Sequence, residues 1–365
     1  MRVAAVGVGG AGGRIVDQLW RDNDRRPTTY LGGACVVDTD TESLRELDAL
    51  PRERRHAFGL FESEGAGTDG DRSTGTAAIE DDSLEVRRAI DPLVTSDIDA
   101  VVLVAGVAGG TGGGAVAHIA TRLSEIYTQP VYCVSVLPAG WDEDAATNTM
   151  ATLDELETAV DGQLFFDNEA WLGSEQTVEA AADTLNDTLV TRLGALFAAG
   201  EVTAAESVGQ SVVDASEIHN TLSGAGAATL GYASQDISMD DPDETMFDSL
   251  RDRITATATD DVDEAAARTA IETAVRRALQ ETLTAECPRD AADTALTVFA
   301  GPPAWLLGDA IADGRQWLSE ELQSSEIRTG DVPTPQRQML SVLVLLSNVT
   351  DVPRLEELES LANEG

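Results

Sequence analysis

Ala108-Gly109-Gly110-Thr111-Gly112-Gly113-Gly114 is the stretch on which the reading of the fold turns. It follows an apolar run at 100–105 that reads as a buried strand. It precedes 115–123, which reads as a helix. Five glycines in seven residues cost conformational entropy, roughly 0.5–1 kcal/mol each relative to alanine inside a helix or strand. A flexible turn is the plain explanation. The stronger one is that bare backbone N–H groups at a helix N-terminus, with the positive end of the helix dipole behind them, make an anion site without any lysine. The Gly-Lys-Ser/Thr ending of a Walker loop is absent.

A second glycine stretch opens the chain. Residues 3–6 read as a strand, Gly7-Val8-Gly9-Gly10-Ala11-Gly12-Gly13 follows, and a helix runs to about residue 21. Gly7, Gly9 and Gly12 fit Gly-x-Gly-x-x-Gly, and Asp38 ends a second strand at 34–38, where a ribose-binding acid would sit. An NAD(P)-binding enzyme is therefore a serious alternative. Two glycine loops facing one crevice suit a triphosphate better, and no histidine is placed as a hydride-transfer partner.

Further along, 41–50 reads as a helix and 51–82 as a long polar, glycine-rich loop. A helix at 84–93, a strand at 130–137, a helix at 144–160 and a strand at 163–167 follow. Alternating strands and helices predict a mostly parallel sheet covered on both faces, with ligand loops at the C-terminal strand ends. Asp38, Glu143 and Asn168 fall at such ends. Residues 175–199 read as one long helix with Leu185, Leu189, Leu193 and Leu196 at helical spacing. A linker at 203–216 carries Asp214. From about 223 the pattern predicts strands at 229–233, 295–300 and 341–346 and helices at 264–284, 304–322 and 353–362. Residues 234–263, rich in Asp, Ser and Thr, read as a surface insertion.

The 365 residues suffice for two cores. Sixty-five Asp and Glu face 24 cationic residues, all arginine, for a formal charge of -41. That balance argues against nucleic acid or an anionic membrane as partners, and suits an acidic surface in concentrated salt. Cys35, Cys133 and Cys287, and His56, His118 and His219, are too scattered for a metal site. No apolar run approaches the roughly 20 residues of a membrane span, and the expected location is the cytoplasm.

The central heptapeptide resembles the signature small-Gly-Gly-Thr-Gly-small-Gly shared by tubulin and FtsZ. The segment Ser211-Val-Val-Asp214-Ala-Ser-Glu217-Ile-His-Asn-Thr-Leu222 resembles CetZ, the mainly haloarchaeal branch of that superfamily. So do Gly301-Pro-Pro and Leu346-Ser-Asn-Val-Thr-Asp-Val-Pro353. The likeness spans nearly the whole chain and is weakest at 50–80 and 234–265.

It implies an α/β fold: a Rossmann-like parallel-sheet GTPase domain (1–200), a long central helix (175–199), a linker with an acidic catalytic loop (201–222), and a smaller α+β domain (223–365). It further implies GTP or GDP with Mg²⁺, and head-to-tail homopolymers in control of cell shape. Gly9, Gly10, Ala11 and Gly12 take the place of the first phosphate loop, and Gly109, Gly110, Thr111, Gly112 and Gly113 that of the principal one. Glu143 falls on the ribose contact, Asn168 and Asn186 on the guanine contacts. Asp214 and Glu217 fall on the acids that act on the neighbouring subunit's nucleotide. Four positions depart from the pattern: Gly10 for a polar residue, Asp38 for asparagine, Thr147 for arginine, and Ala182 for an aromatic ring. They leave open a structural paralogue that binds nucleotide but hydrolyses it slowly.

Overall fold

The computed structural model describes residues 1–173, 176–201, 213–224, 226–237, 264–324, 326–334 and 338–363. Six strands come first: β1 (Val3–Val8), β2 (Leu31–Asp38), β3 (Arg55–Ala57), β4 (Ala100–Gly106), β5 (Val131–Leu137) and β6 (Gly162–Asp167). They lie parallel in the order β3-β2-β1-β4-β5-β6. β1 and β5 are buried along their whole length and β4 up to its last residue. Their near-continuous Val, Ala and Leu runs are what a strand covered on both faces requires.

The sheet does not stop there. β7 (Ala227–Asp236) pairs with β6 over the short register Gln163↔Ala227 and Leu164↔Ala228. β10 (Met339–Val349) lies antiparallel between β7 and β8 (Ala292–Gly301), and β9 (Glu326–Pro333) lies parallel to β8 at the edge. One ten-stranded sheet thus runs through both halves of the molecule.

Helices cover both faces. Among the described residues they are α1 (Gly9–Arg25), α2 (Thr41–Glu46), α3 (Leu60–Ser63), α4 (Arg72–Ile90), α5 (Gly110–Ile126), α6 (Glu143–Ala159), α7 (Asn168–Trp171), α8 (Val178–Ala199) and α9 (Ala215–Leu222), then α10 (Glu264–Gln280), α11 (Gly308–Leu322) and α12 (Pro353–Ala362). One core joins α1 and α8 to the sheet, including Leu296 and Leu343 of the C-terminal half. In α8 the leucines at 185, 189, 193 and 196 are buried, as their spacing predicts. The opposite core holds α4, α5 and α6 residues together with those of α10 and α11.

Several elements differ from the sequence reading. The loop expected at 51–82 contains β3, α3 and the first half of α4. Asp71 starts α4 as its N-cap, accepting from Ser73 N at 2.9 Å, and the helix kinks at Asp82 (φ -100°, ψ 17°). That kink is why the pattern reads as helical only from 84. α2 ends at Glu46 rather than 50, and α5 starts at Gly110 rather than 115. β9 is absent from the sequence reading, because its Glu-Ile-Arg-Thr-Gly-Asp-Val-Pro run carries little apolar pattern. Of the expected insertion, 234–236 complete β7, and 238–263 lie outside the described residues. So do 202–212 of the linker.

Candidate functional site

β1 and β4 are neighbours in the sheet although β2 and β3 intervene in the chain, so their C-terminal ends are a topological switch point. α1 begins at Gly9 directly after β1, and α5 at Gly110 just after β4. The amides of Gly110, Thr111 and Gly112 have no intrahelical acceptor; the first such bond in α5 is Gly113 N to Gly109 O at 2.9 Å. Most helices of the N-terminal half carry a side-chain cap, and α3, α11 and α12 lack one without lining the cavity at the starts of α1 and α5. Side chains of Asp40, Asp71, Asp142, Asp167, Thr177 and Asp214 cap α2, α4, α6, α7, α8 and α9. α1 and α5, whose N-caps are Val8 and Gly109, have no side-chain cap. Both open onto one cavity of about 430 Å³.

Gly9, Gly10, Ala11, Gly109, Gly110, Thr111, Gly112 and Asn168 line that cavity, with Asp38, Asp40, Ser43, Thr68, Asp69 and Pro138. Gly9 has φ +70°, and a Cβ there would stand 3.0 Å from Gly112 N, so the two helix starts touch through glycine. Gly12 and Gly113 do not line the cavity. A Cβ on Gly12 would run into the Val104 carbonyl, and one on Gly113 would meet Val107 O at 2.6 Å. Their work is close packing beneath the two helix starts. The Thr111 hydroxyl is only 2.6 Å from that of Thr39 and 3.4 Å from that of Thr68. It ties the loops together rather than standing free.

Glu143 is exposed at the first position of α6 and is not among the residues lining the cavity. Asn186 is half-buried on α8 and is likewise not among the residues lining the cavity, and its Nδ2 is buried with no hydrogen-bond partner among the described residues. Thr147 is exposed, Ala182 half-buried. Gly10 has room: a Cβ would meet Arg14 Nη1 only at 3.4 Å and Asp38 Oδ2 at 3.8 Å. Asn148 went unnoticed in the sequence. Its Nδ2 donates to Gly70 O (3.0 Å) and Ala108 O (3.1 Å), joining the 65–71 loop to the central glycine stretch.

Asp214 and Glu217 lie on α9, outside this cavity. Asp214 is the N-cap, accepting from Ser216 Oγ at 2.5 Å and Glu217 N at 3.0 Å, and these bonds lower its pKa. Glu217 is different: Oε2 is buried without a partner among the described residues, and burial, with Asp214 nearby, raises its pKa. Within the cavity, burial pushes Asp38 up to about 6. Burial also works against ionised Asp40, but bonds from Ser43 Oγ and Glu42 N outweigh it and lower its pKa. No group of three or more acidic, histidine or cysteine side chains could cage a metal among the described residues. Mg²⁺ seldom needs one: a carboxylate or two plus phosphate oxygens suffice. Asp40 and Asp69, both lining the cavity, are oxygen donors of that kind.

The tubulin/FtsZ family GTPase domain matches residues 2–176, and the C-terminal domain of tubulin-like CetZ proteins matches 175–364. Tubulin-like protein CetZ1 of Haloferax volcanii is 37% identical over 369 residues, covering 100% of this chain and 92% of its own. The chain belongs to the CetZ family. CetZ5 of the same organism is 39% identical over the same shares. Among solved structures, CetZ1 from Haloferax volcanii as a GDP-bound monomer superimposes with a TM-score of 0.85 at 33% identity, covering 100% of this chain and 99% of that one. CetZ2 as a GTPγS-bound protofilament gives 0.85 at 29%, covering 100% and 98%. Its N-terminal half is accordingly a GTPase domain of the tubulin/FtsZ superfamily. The dinucleotide reading of Gly7, Gly9 and Gly12 gives way. The strand order is common to both folds, and the second uncapped helix is what a single pyrophosphate site does not need.

Proposed function

We propose that the cavity between α1 and α5 holds the phosphates of GTP, and that Asn168 and Asn186 meet the guanine. The observation that carries this is the pair of uncapped helix N-termini opening on one cavity, in a half of the chain whose other helices are mostly capped by their own side chains. Backbone N–H groups and two helix dipoles then stabilise the phosphate charge. The orphaned Nδ2 of Asn186 is a donor waiting for an acceptor, and an amide can serve either edge of guanine. Asp40 and Asp69 would hold Mg²⁺, which neutralises phosphate charge when bound. Glu143, on the exposed start of α6, is assigned to the ribose rim. The GDP-bound CetZ1 and GTPγS-bound CetZ2 relatives support a guanine nucleotide in this fold.

Hydrolysis is assigned to the interface between subunits. Asp214 and Glu217 do not line the chain's own cavity; the resemblance to the family assigns them to the next subunit's nucleotide in a head-to-tail filament. Asp214 is spent on capping α9 and orients it. Glu217, with its unpartnered oxygen and raised pKa, is the group that orients and polarises the attacking water. The division at about 200 and 223, a cytoplasmic location, a role in cell shape, and the absence of nucleic-acid and membrane partners belong to the same reading; no described helix is long and apolar enough to cross a membrane. The test is turnover against protein concentration. Wild-type GTPase should rise more than linearly with concentration. Glu217→Ala should bind GTP unchanged yet hydrolyse it at least about a hundredfold more slowly. Equal turnover in the two would leave the acids as helix-capping residues and nothing more.

A further inference from the structure

Arg354 stands on the first turn of α12, far along the chain from the nucleotide cavity, and its side chain is 5% exposed. Its Nη2 donates to Pro138 O at 3.1 Å and Gly140 O at 2.8 Å. Its Nε lies 3.7 Å from Asp167 Oδ1, and the Trp141 ring lies against the guanidinium at 5.3 Å. Nη1 bonds Glu357 within the helix at 3.1 Å. Pro138 lines the cavity, and Asp167 is the N-cap of the short helix that begins with Asn168. A single buried cation from the C-terminal half therefore fastens both segments at the base end of the cavity.

The two segments are also tied to one another. Gly140 N donates to Glu169 Oε2 at 2.8 Å, with Gly140 at φ +80°. The C-terminal half holds the rear of α7 as well: Asp167 N donates to Thr284 O at 2.7 Å, and Trp171 Nε1 to Leu283 O at 3.2 Å. α7 is one turn long and cannot fix its own orientation by helix packing. Its placement is set from outside.

We propose that Arg354 is a positioning residue for base recognition: it holds Asn168 and the 138–141 loop in register with the nucleotide, from the C-terminal helix. This rests on the assignment of Asn168 to the base. An arginine suits the task because one terminal nitrogen reaches two carbonyls while the flat face of the guanidinium packs on a ring, which lysine cannot reproduce. Removing it leaves two half-buried carbonyls without their donor and Asp167 without its ion-pair partner, so the loop and α7 shift. The phosphate-binding ends of α1 and α5 do not touch Arg354 and keep their geometry. The predicted loss is therefore selective for the base and not for the triphosphate.

The experiment compares GTP and ATP affinities of the full chain in molar KCl for wild type, Arg354→Met, Arg354→Lys and Asn168→Ala. Arg354→Met should weaken GTP binding up to about tenfold, the upper end of what one neutral hydrogen bond to the base is worth, while ATP binding stays as it was. The preference for GTP then shrinks by the same factor, with lysine intermediate. If both nucleotides weaken alike, or neither does, Arg354 is a structural residue only and the proposal falls. If Asn168→Ala keeps the full preference, the base assignment itself is wrong. If Asn168→Ala loses it and Arg354→Met does not, only the role of Arg354 is refuted. Should Arg354→Met fail to fold, amide exchange on the wild type decides: GTP must slow exchange at 353–358 as well as at 138–142, and an unchanged rate at 353–358 overturns the proposal.

Discussion

Asp38 carries the sharpest single-residue consequence. It is 2% exposed and lines the cavity between α1 and α5 proposed to hold the phosphates, where burial raises its pKa to about 6 against 3.8 for a free side chain. A raised carboxylate pKa means that the folded protein holds a proton which the unfolded chain has released between these two values. Stability due to Asp38 is thus highest below pH 3.8 and falls as pH rises through about 6, where the ionised form becomes an uncompensated cost. Asp38→Asn should remove that cost at pH 7.5, worth about 2–3 kcal/mol at roughly 1.4 kcal/mol per pKa unit. The same charge opposes the triphosphate. In EDTA, so that no divalent ion links carboxylate to phosphate, Asp38→Asn should bind GTP more tightly than wild type at pH 7.5. That advantage should close as pH drops below about 6. A pH-independent ratio of the two affinities would show that Asp38 does not face the phosphates.

Among the helices, the missing cap on α5 can be supplied by hand. Gly109 has an extended backbone (φ -77°, ψ 156°), and a Cβ there meets only Gly106 O at 3.4 Å. Gly110 is a poorer probe, since its Cβ would strike Thr68 Oγ1 and the Asp71 carbonyl rather than enter the cavity. Gly109→Asp should bond the first-turn amides as Asp71 does in α4, and raise the stability of nucleotide-free protein by about a few tenths of a kcal/mol. It should also abolish GTP binding, because the carboxylate occupies and repels from the anion site. Thermal melting and nucleotide titration on the same sample check both halves. Undiminished binding would mean that the α5 amides are not the phosphate contacts.

These helices also show where sequence patterns stop being informative. The alternation of strands with helices, the place of both glycine stretches and the α8 leucine stripe were legible, because burial writes them as apolar runs and spacings. The start of α5 was not, since glycine has poor helix propensity and pushes the boundary to Ala115. Tertiary packing overrides that preference. A Cβ on Gly75 would run into the Gly110 carbonyl, and one on Gly114 would lie 2.6 Å from Arg72 O, so α4 and α5 cross at a distance that only glycine permits. The ties of Asn148 and Arg354 were illegible for another reason. Each bonds backbone carbonyls far away in sequence, and carbonyls carry no residue signature. Asp214 illustrates the opposite case, in which one spacing serves two purposes. Three residues before Glu217, it suits both a cap and a catalytic pair, and the geometry shows the cap.

For the molecule as a whole, the -41 formal charge sets the conditions under which any of this can be observed. No lysine is present to offset it, and many of the ion pairs among the described residues are exposed i,i+3 or i,i+4 pairs of small worth. At molar salt the screening length is about 3 Å, and at 10 mM about 30 Å. Circular dichroism melts should therefore show the transition moving to lower temperature as KCl is withdrawn, with structure lost in the millimolar range. A melt unaffected by KCl would show that the acidic surface is not under electrostatic strain. The continuous sheet and the shared α8 core predict, in addition, that both halves melt in one transition.

Two uncapped helix N-termini at the β1/β4 switch point form the proposed guanine-nucleotide site. The most direct measurement is calorimetric titration of nucleotide-stripped protein in molar KCl with GTP, ATP and NAD. The account predicts one GTP per chain, bound far more tightly than ATP, with no heat from NAD, and with binding eliminated in Gly109→Asp. Saturable binding of NAD, or GTP binding that survives Gly109→Asp, would contradict it.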